Sequence, residues 1–254
     1  MSIIQYEQRI VAFIDILGFK AIIDETELPN NQDKINNIKE AFDLIGDLLK
    51  QHYHPDQIQQ VKYSTFSDCI VFSFPVRQTN NLFFSLIPLI WLQAILVWQH
   101  NILLRGALTI GEIYHDENMV FGPAMVEAYE LESKVAEFPR IILHDKIEAD
   151  YEQWLAEVRA TDDQERIYDL ENEKNYTFKP KGLLTKDNDG HYYVDYLEKF
   201  AGEMDNPENY VNFIAHIESF IEPYLKPDTA PSILKKYIWL YEKIQKIKTQ
   251  MSSS

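Results

Sequence analysis

Three short segments carry residue types that can do chemistry together. The first is Phe13-Ile14-Asp15-Ile16-Leu17-Gly18-Phe19. A carboxylate at the end of an apolar run, followed by a glycine turn into a helix, can hold a metal ion. The backbone N–H groups of Ile16, Leu17, Gly18 and Phe19 would then face a phosphate at the helix start. An aspartate at a strand end is also commonly a turn or cap residue, so the segment decides nothing alone. The second is Phe66-Ser67-Asp68-Cys69-Ile70-Val71, where Asp68 sits at a hairpin tip inside two apolar strands. The third is Leu104-Arg105-Gly106-Ala107-Leu108-Thr109-Ile110-Gly111. An arginine opening a buried strand needs an anionic partner. Asp15 or Asp68 would serve as a structural pair, and a triphosphate would suit the guanidinium fork equally well.

Whether these residues meet depends on the elements between them. Residues 9–14, RIVAFI, read as a strand that Gly18 terminates, and residues 32–53 carry apolar positions at helical spacing. Residues 60–74 read as two strands joined by a tight turn near Ser67 and Asp68, and residues 82–98 as an apolar helix. Residues 103–114 form a strand, HDEN at 115–118 an exposed turn, 123–135 a helix opened by Pro123, and 139–144 a short strand. The order β-α-β-β-α-β predicts an α+β, ferredoxin-like sandwich on an antiparallel sheet. In that topology strand 1 and the hairpin of strands 2 and 3 lie side by side at the centre, so Asp15 and Asp68 become neighbours. Two such carboxylates are costly without cations, which points to divalent metal between them.

Composition narrows the function classes. The 254 residues include 24 Lys and Arg against 40 Asp and Glu, a net charge of −16 that disfavours a broad nucleic-acid surface. A ferredoxin-like RNA-binding module shares the topology, but this charge and Asp68 on the hairpin speak against it. Cys69 is the single cysteine, so no intrachain disulfide or thiolate cluster forms. Its position suits strand filling better than nucleophilic catalysis, since no paired histidine is evident. The apolar stretch from Leu82 to Trp98 is interrupted by Ser85, Pro88 and Gln93, and a buried core helix explains it better than a membrane span. The N-terminus has no secretory signal pattern, and the expectation is a cytoplasmic protein without a membrane or nucleic-acid partner.

Together the three segments resemble the class III nucleotidyl cyclases: F-x-D-x-x-G-F at 13–19, S-D-C at 67–69, L-R-x-x-x-x-x-G at 104–111, continuing into Gly122 to Ser133. The resemblance implies that Asp15, Ile16 (through its backbone) and Asp68 bind two Mn²⁺ or Mg²⁺ ions and that Arg105 contacts the terminal phosphates of a nucleoside triphosphate. It also implies a two-fold homodimer with composite sites. Departures are informative. Val126 and Glu130 stand where adenylyl and guanylyl cyclases place a ribose-orienting asparagine and a transition-state arginine, and Ser64 and Met119 stand where a lysine and an aspartate read adenine.

FIDILGF, STFSD, LLRGALTIGE, VFGPAMVEAYELES and PRII together look like the pyrimidine cyclases of bacterial Pycsar antiphage systems, over about residues 9–145, with DGHYYVDYL further on. That resemblance implies production of cyclic UMP or cyclic CMP, read by a cyclic-nucleotide-responsive effector. It implies a base pocket lined by Tyr63, Ser64, Phe66 and Met119. A degenerate nucleotide-binding module, or a purine cyclase, is the alternative. Glu127, Glu130 and Glu132 read as solvated helix glutamates. The expected organisation is a catalytic domain over 7–150, an α-rich extension over 151–248, and a disordered tail over 249–254.

Overall fold

The computed structural model describes residues 4–29, 31–52, 60–76, 81–180 and 182–252. At its centre is β1 (Glu7–Ile16), a strand whose residues from Arg9 to Ile14 are all buried. It is covered on both faces, which is why the sequence shows a continuous apolar run there rather than alternation. Gly18 ends it in the left-handed region (φ 74°) and starts α1 (Phe19–Thr26), an uncapped helix with no buried residue. α2 (Gln32–His52) leads to β2 (Lys62–Phe66) and β3 (Cys69–Pro75). The hairpin between them closes on Ser67 and Asp68, with Ser67 at φ 56°. α3 (Asn81–His100) and β4 (Leu104–His115) follow, then β5 (Val120–Phe121), α4 (Pro123–Lys134) and β6 (Ile141–Leu143).

The strand order is β2-β3-β1-β4, continued by β6, β8 (Tyr192–Val194) and β7 (Leu184–Lys186), with β5 paired to β4. The first four strands are antiparallel in the ferredoxin-like order that the sequence predicts. The expectation of a wholly antiparallel sheet needs correction, because β6 runs parallel to β4. Gly106 makes the centre possible: a Cβ there would lie 2.7 Å from the Phe13 carbonyl oxygen.

The division at residue 150 also changes. It falls inside α5 (Lys146–Ala160), and the following chain returns two strands to the same sheet. α5, α6 (Gln164–Phe178), α7 (Pro207–Ile221) and α8 (Pro231–Met251) contribute Tyr151, Leu170, Phe213 and Leu240 to the core that holds Ile14 and Ile70. The stretch 150–180, polar in sequence, is mostly helical because Leu155, Val158, Leu170 and Glu173 form a narrow buried stripe. The tail expected from Thr249 is helical through Met251; Ser253 and Ser254 lie outside the described residues.

α3 is long and apolar enough to cross a membrane by length and composition, but 67% of that window is buried against the rest of the protein. Ser85 Oγ donates to the Leu82 carbonyl and Gln93 Nε2 to that of Leu89, while the buried Gln93 Oε1 has no partner among the described residues. Buried Glu173 of α6 accepts from the N–H groups of Leu82 and Phe83, a carboxylate placed at a helix N-terminus where the dipole favours it.

The opposite face of the sheet is covered differently. α4 lies over β1 and β4 on a small cluster of Val11, Phe13, Val71, Ile113, Ala124 and Ala128. β2 projects from under it, and the Phe66 side chain there is 84% exposed.

Candidate functional site

Register builds the site. Asp15 pairs with Cys69 on one side and with Arg105 on the other, so three side chains form a row across β3, β1 and β4 on one face. The hairpin turn adds Asp68, whose carbonyl accepts the Ile16 N–H at 3.0 Å. A carboxylate oxygen from each of Asp15 and Asp68 and the Cys69 sulfur all lie within 4.8 Å of one another. This is bridging reach for a hard divalent cation with metal–oxygen bonds of about 2.1 Å.

The electrostatics of the row are unbalanced. Asp15 is pushed up to about 6, first by burial and then by the Glu132 carboxylate, with Arg105 opposing and Asp68 adding to the rise. Burial and the Asp68 and Asp15 carboxylates push the Cys69 thiol up to about 12. Two carboxylates are the oxygen donors that hard ions such as Mg²⁺ and Mn²⁺ take, whereas a thiol suits softer metals.

Arg105 lies opposite Asp15 on β4 and is already engaged. Its Nε donates to Glu132 Oε1 at 2.6 Å, its Nη2 pairs with the same carboxylate, and Nη2 reaches Asp15 Oδ2 at 3.5 Å. Glu132 is 3% exposed, which corrects its reading as a solvated helix residue. The signal for this was present. Ala124, Ala128 and Glu132 recur every four residues, so Glu132 continues the buried stripe of α4. Glu127 is likewise engaged, by Lys146 and Thr109, whereas Glu130 pairs with Lys134 on the exposed side. Val126 is 58% exposed.

Because Glu132 raises the Asp15 carboxyl, Glu132→Gln lowers it, and the released Arg105 acts in the same direction. Mn²⁺ binding followed by calorimetry across pH 5–8 should therefore keep its affinity to lower pH in Glu132→Gln than in the parent. A midpoint moved to higher pH would refute the assignment.

The glycine turn is used differently from expectation. Leu17 N–H donates to the Leu103 carbonyl at 2.9 Å and Ile16 N–H to Asp68, so both point into the fold rather than at a phosphate. Gly18 and Phe19 remain at the uncapped start of α1. Among the expected base-pocket residues, Ser64 and Phe66 share the face of Asp15. Tyr63 does not: strand alternation puts it on the opposite face, stacked on Phe72 at 6.1 Å. Met119 is exposed in the β4–β5 turn.

His115 corrects a further expectation. It closes β4 and is 2% exposed rather than part of an open turn. Sequence gave no sign of Lys236. This α8 residue lies close enough that Asp15 and Glu132 act on its ammonium; burial, then Arg105, nevertheless hold it below the usual lysine range.

No protein-family model and no curated protein matches the sequence. Similar solved structures include the monomeric guanylyl cyclase domain of the RhoGC fusion protein from the aquatic fungus Blastocladiella emersonii, with 13% identity, TM-score 0.48, and coverage of 76% of this chain and 96% of that one. An adenylate/guanylate cyclase/hydrolase from Silicibacter pomeroyi is 17% identical with TM-score 0.41, covering 74% of this chain and 95% of the other. A class III adenylyl cyclase-like ATP-binding protein from Pseudomonas aeruginosa is 12% identical with TM-score 0.42, over 88% and 60% of the respective chains.

Proposed function

We propose that this protein is a metal-dependent nucleotide cyclase of the class III type that converts UTP, or CTP, to the 3′,5′-cyclic monophosphate and pyrophosphate. The observation that carries the reading is the convergence of Asp15 and Asp68, 53 positions apart in sequence, within bridging reach of shared cations.

Two divalent ions held by Asp15 and Asp68 would favour ionisation of the ribose 3′ hydroxyl and stabilise the departing pyrophosphate. Asp15 and Asp68 would hold those ions at the end of the sheet, where burial strengthens every charge interaction. Gly18 and Phe19 offer backbone N–H donors to a phosphate. Arg105, held in place by Glu132, presents the rest of its guanidinium to developing negative charge.

The exposed apolar side chains of Phe66, Met119, Val126 and Tyr129 support a homodimer that covers them. A role as the source of a cyclic-nucleotide signal in antiphage defence, read by a separate effector in the cytoplasm, completes the proposal.

Incubation with Mn²⁺ and an equimolar mixture of the four ribonucleoside triphosphates should yield cyclic UMP or cyclic CMP with stoichiometric pyrophosphate. Absence of any cyclic product rejects the enzyme. A second reading, a nucleotide-binding module without turnover, draws on the engagement of Arg105 by Glu132 and on Val126 and Glu130. It predicts metal-dependent triphosphate binding with no pyrophosphate release.

A further inference from the structure

A second constellation of polar side chains lies on the same face of the sheet, away from the carboxylates and buried. Arg9, Ser73 and His115 are 4%, 0% and 2% exposed, and together they reach the half-exposed Ser64 on β2. We propose that Arg9, Ser73 and His115 fix Ser64 as an outward-facing hydrogen-bond donor that selects a nucleobase carbonyl, uracil O4 among the pyrimidines, over an exocyclic amine. The inference rests on the proposed function and deepens it by naming the base.

Arginine has donors only. Its Nε donates to Ser73 Oγ at 2.9 Å and its Nη2 to the Ser73 carbonyl at 2.8 Å, while Nη1 pairs with Glu7 at 3.0 Å. Ser73 Oγ is therefore an acceptor toward Arg9, and its own buried O–H needs an acceptor elsewhere. His115 Nδ1, 2.8 Å away, is the partner in place. That leaves Nδ1 unprotonated and puts the single ring proton on Nε2, which lies 3.0 Å from Ser64 Oγ.

The ring carries one proton because burial, Arg9 and Lys62 hold its pKa down to about 4, with Asp116 opposing. Ser64 Oγ accepts from Nε2, so its own hydroxyl proton is directed away from the histidine. Among the described residues no acceptor within the protein takes it.

Ser64 shares its face with Asp15 and Cys69 and stands two residues from Phe66, on the part of the sheet that α4 leaves open. A hydroxyl with a fixed proton is a donor site. Uracil presents a carbonyl at position 4, which takes the Ser64 proton; cytosine presents an amine, which can reach only the second lone pair of Oγ and leaves that proton without its acceptor. One such hydrogen bond is worth about tenfold in affinity, and an unpaired donor adds to the discrimination.

Calorimetric titration of the full chain with UTP and with CTP, using Ca²⁺ to suppress turnover, tests this. UTP should bind at least about tenfold more tightly than CTP. Ser64→Ala should bring the ratio near one, mainly by weakening UTP. Ser73→Ala, which removes the group that sets the histidine tautomer, should narrow the ratio while UTP still binds, and retained Mn²⁺ binding shows either variant is folded. Equal affinity for the two nucleotides in the parent, or an unchanged ratio in Ser64→Ala, overturns the selection mechanism and leaves the cyclase reading standing. Failure of every triphosphate to bind with metal overturns both.

Discussion

Asp15→Asn and Asp68→Asn should each reduce pyrophosphate release from nucleotide and Mn²⁺ by about three orders of magnitude, the cost of several kcal/mol of charge stabilisation at the reacting phosphate. The carboxylates lie within 4.8 Å of each other, so loss of either removes a shared ligand rather than one of two independent sites. Retention of full turnover by either variant would end the metal assignment.

The same substitution at Asp15 should have the opposite effect on stability. Its carboxyl is raised to about 6 in the fold against an ordinary value of 3.8. Between those values the native state binds more protons than the unfolded chain, so its contribution to stability is present at low pH and is lost as pH rises through about 6. At neutral pH without metal, Asp15 is a charged group in an unfavourable place. Asp15→Asn should therefore raise the metal-free melting temperature at pH 7.5, with a gain of about 3 kcal/mol, and Mn²⁺ should raise the melting temperature of the parent far more than that of the variant. A carboxylate that destabilises the empty protein and is required with metal bound is a functional group, not a structural one.

Much of this site was legible in the sequence because it depends on local pattern and one topological rule. The FIDILGF turn and the hairpin around Asp68 are short-range features, and the ferredoxin-like order brings them together without knowledge of side-chain packing. Arg105 follows from register with Asp15.

What escaped required parity or tertiary reach. Tyr63 differs from Ser64 by a single residue, enough to move it to the helix-covered face. His115 follows Gly111 and Ile113 at a spacing of two, which would have extended β4 and buried it, but the neighbouring Asp116, Glu117 and Asn118 resemble a turn. Glu132 was hidden by the general rule that helix glutamates face water, and the alanines at 124 and 128 were the counter-signal. Lys236 had no local signal, since its position depends on how a helix more than a hundred residues from Arg105 returns to the sheet.

Arg140 lies where that return meets the sheet, and Arg140→Met should cost about 3 kcal/mol of folding stability, read as a lowered urea midpoint. The guanidinium is 1% exposed and pairs with Asp187 and Asp189 in the turn between β7 and β8. The rings of Phe138, Tyr193 and Trp239 surround it, with centroids 5.2, 5.3 and 5.5 Å away. Asp187 also accepts from Trp239 Nε1 at 2.7 Å and Lys243 Nζ at 2.8 Å, both on α8.

Burial alone would raise the Asp187 carboxyl, but Lys243, Trp239, the Asn188 N–H and Arg140 outweigh it and hold it below the usual carboxylate range. Its contribution is therefore present above the ordinary aspartate value and lost as pH falls through the depressed one. Removing the arginine strips the central cation from a buried network that joins β6, the β7–β8 hairpin and α8. Because these elements share one core with β1 and β3, the variant should still unfold in a single transition, merely at lower urea. Two separated transitions would show that the C-terminal half folds as a unit apart from the sheet that carries Asp15 and Asp68. In that case α8 and its Lys236 would be an appended module and not part of the body that holds the site.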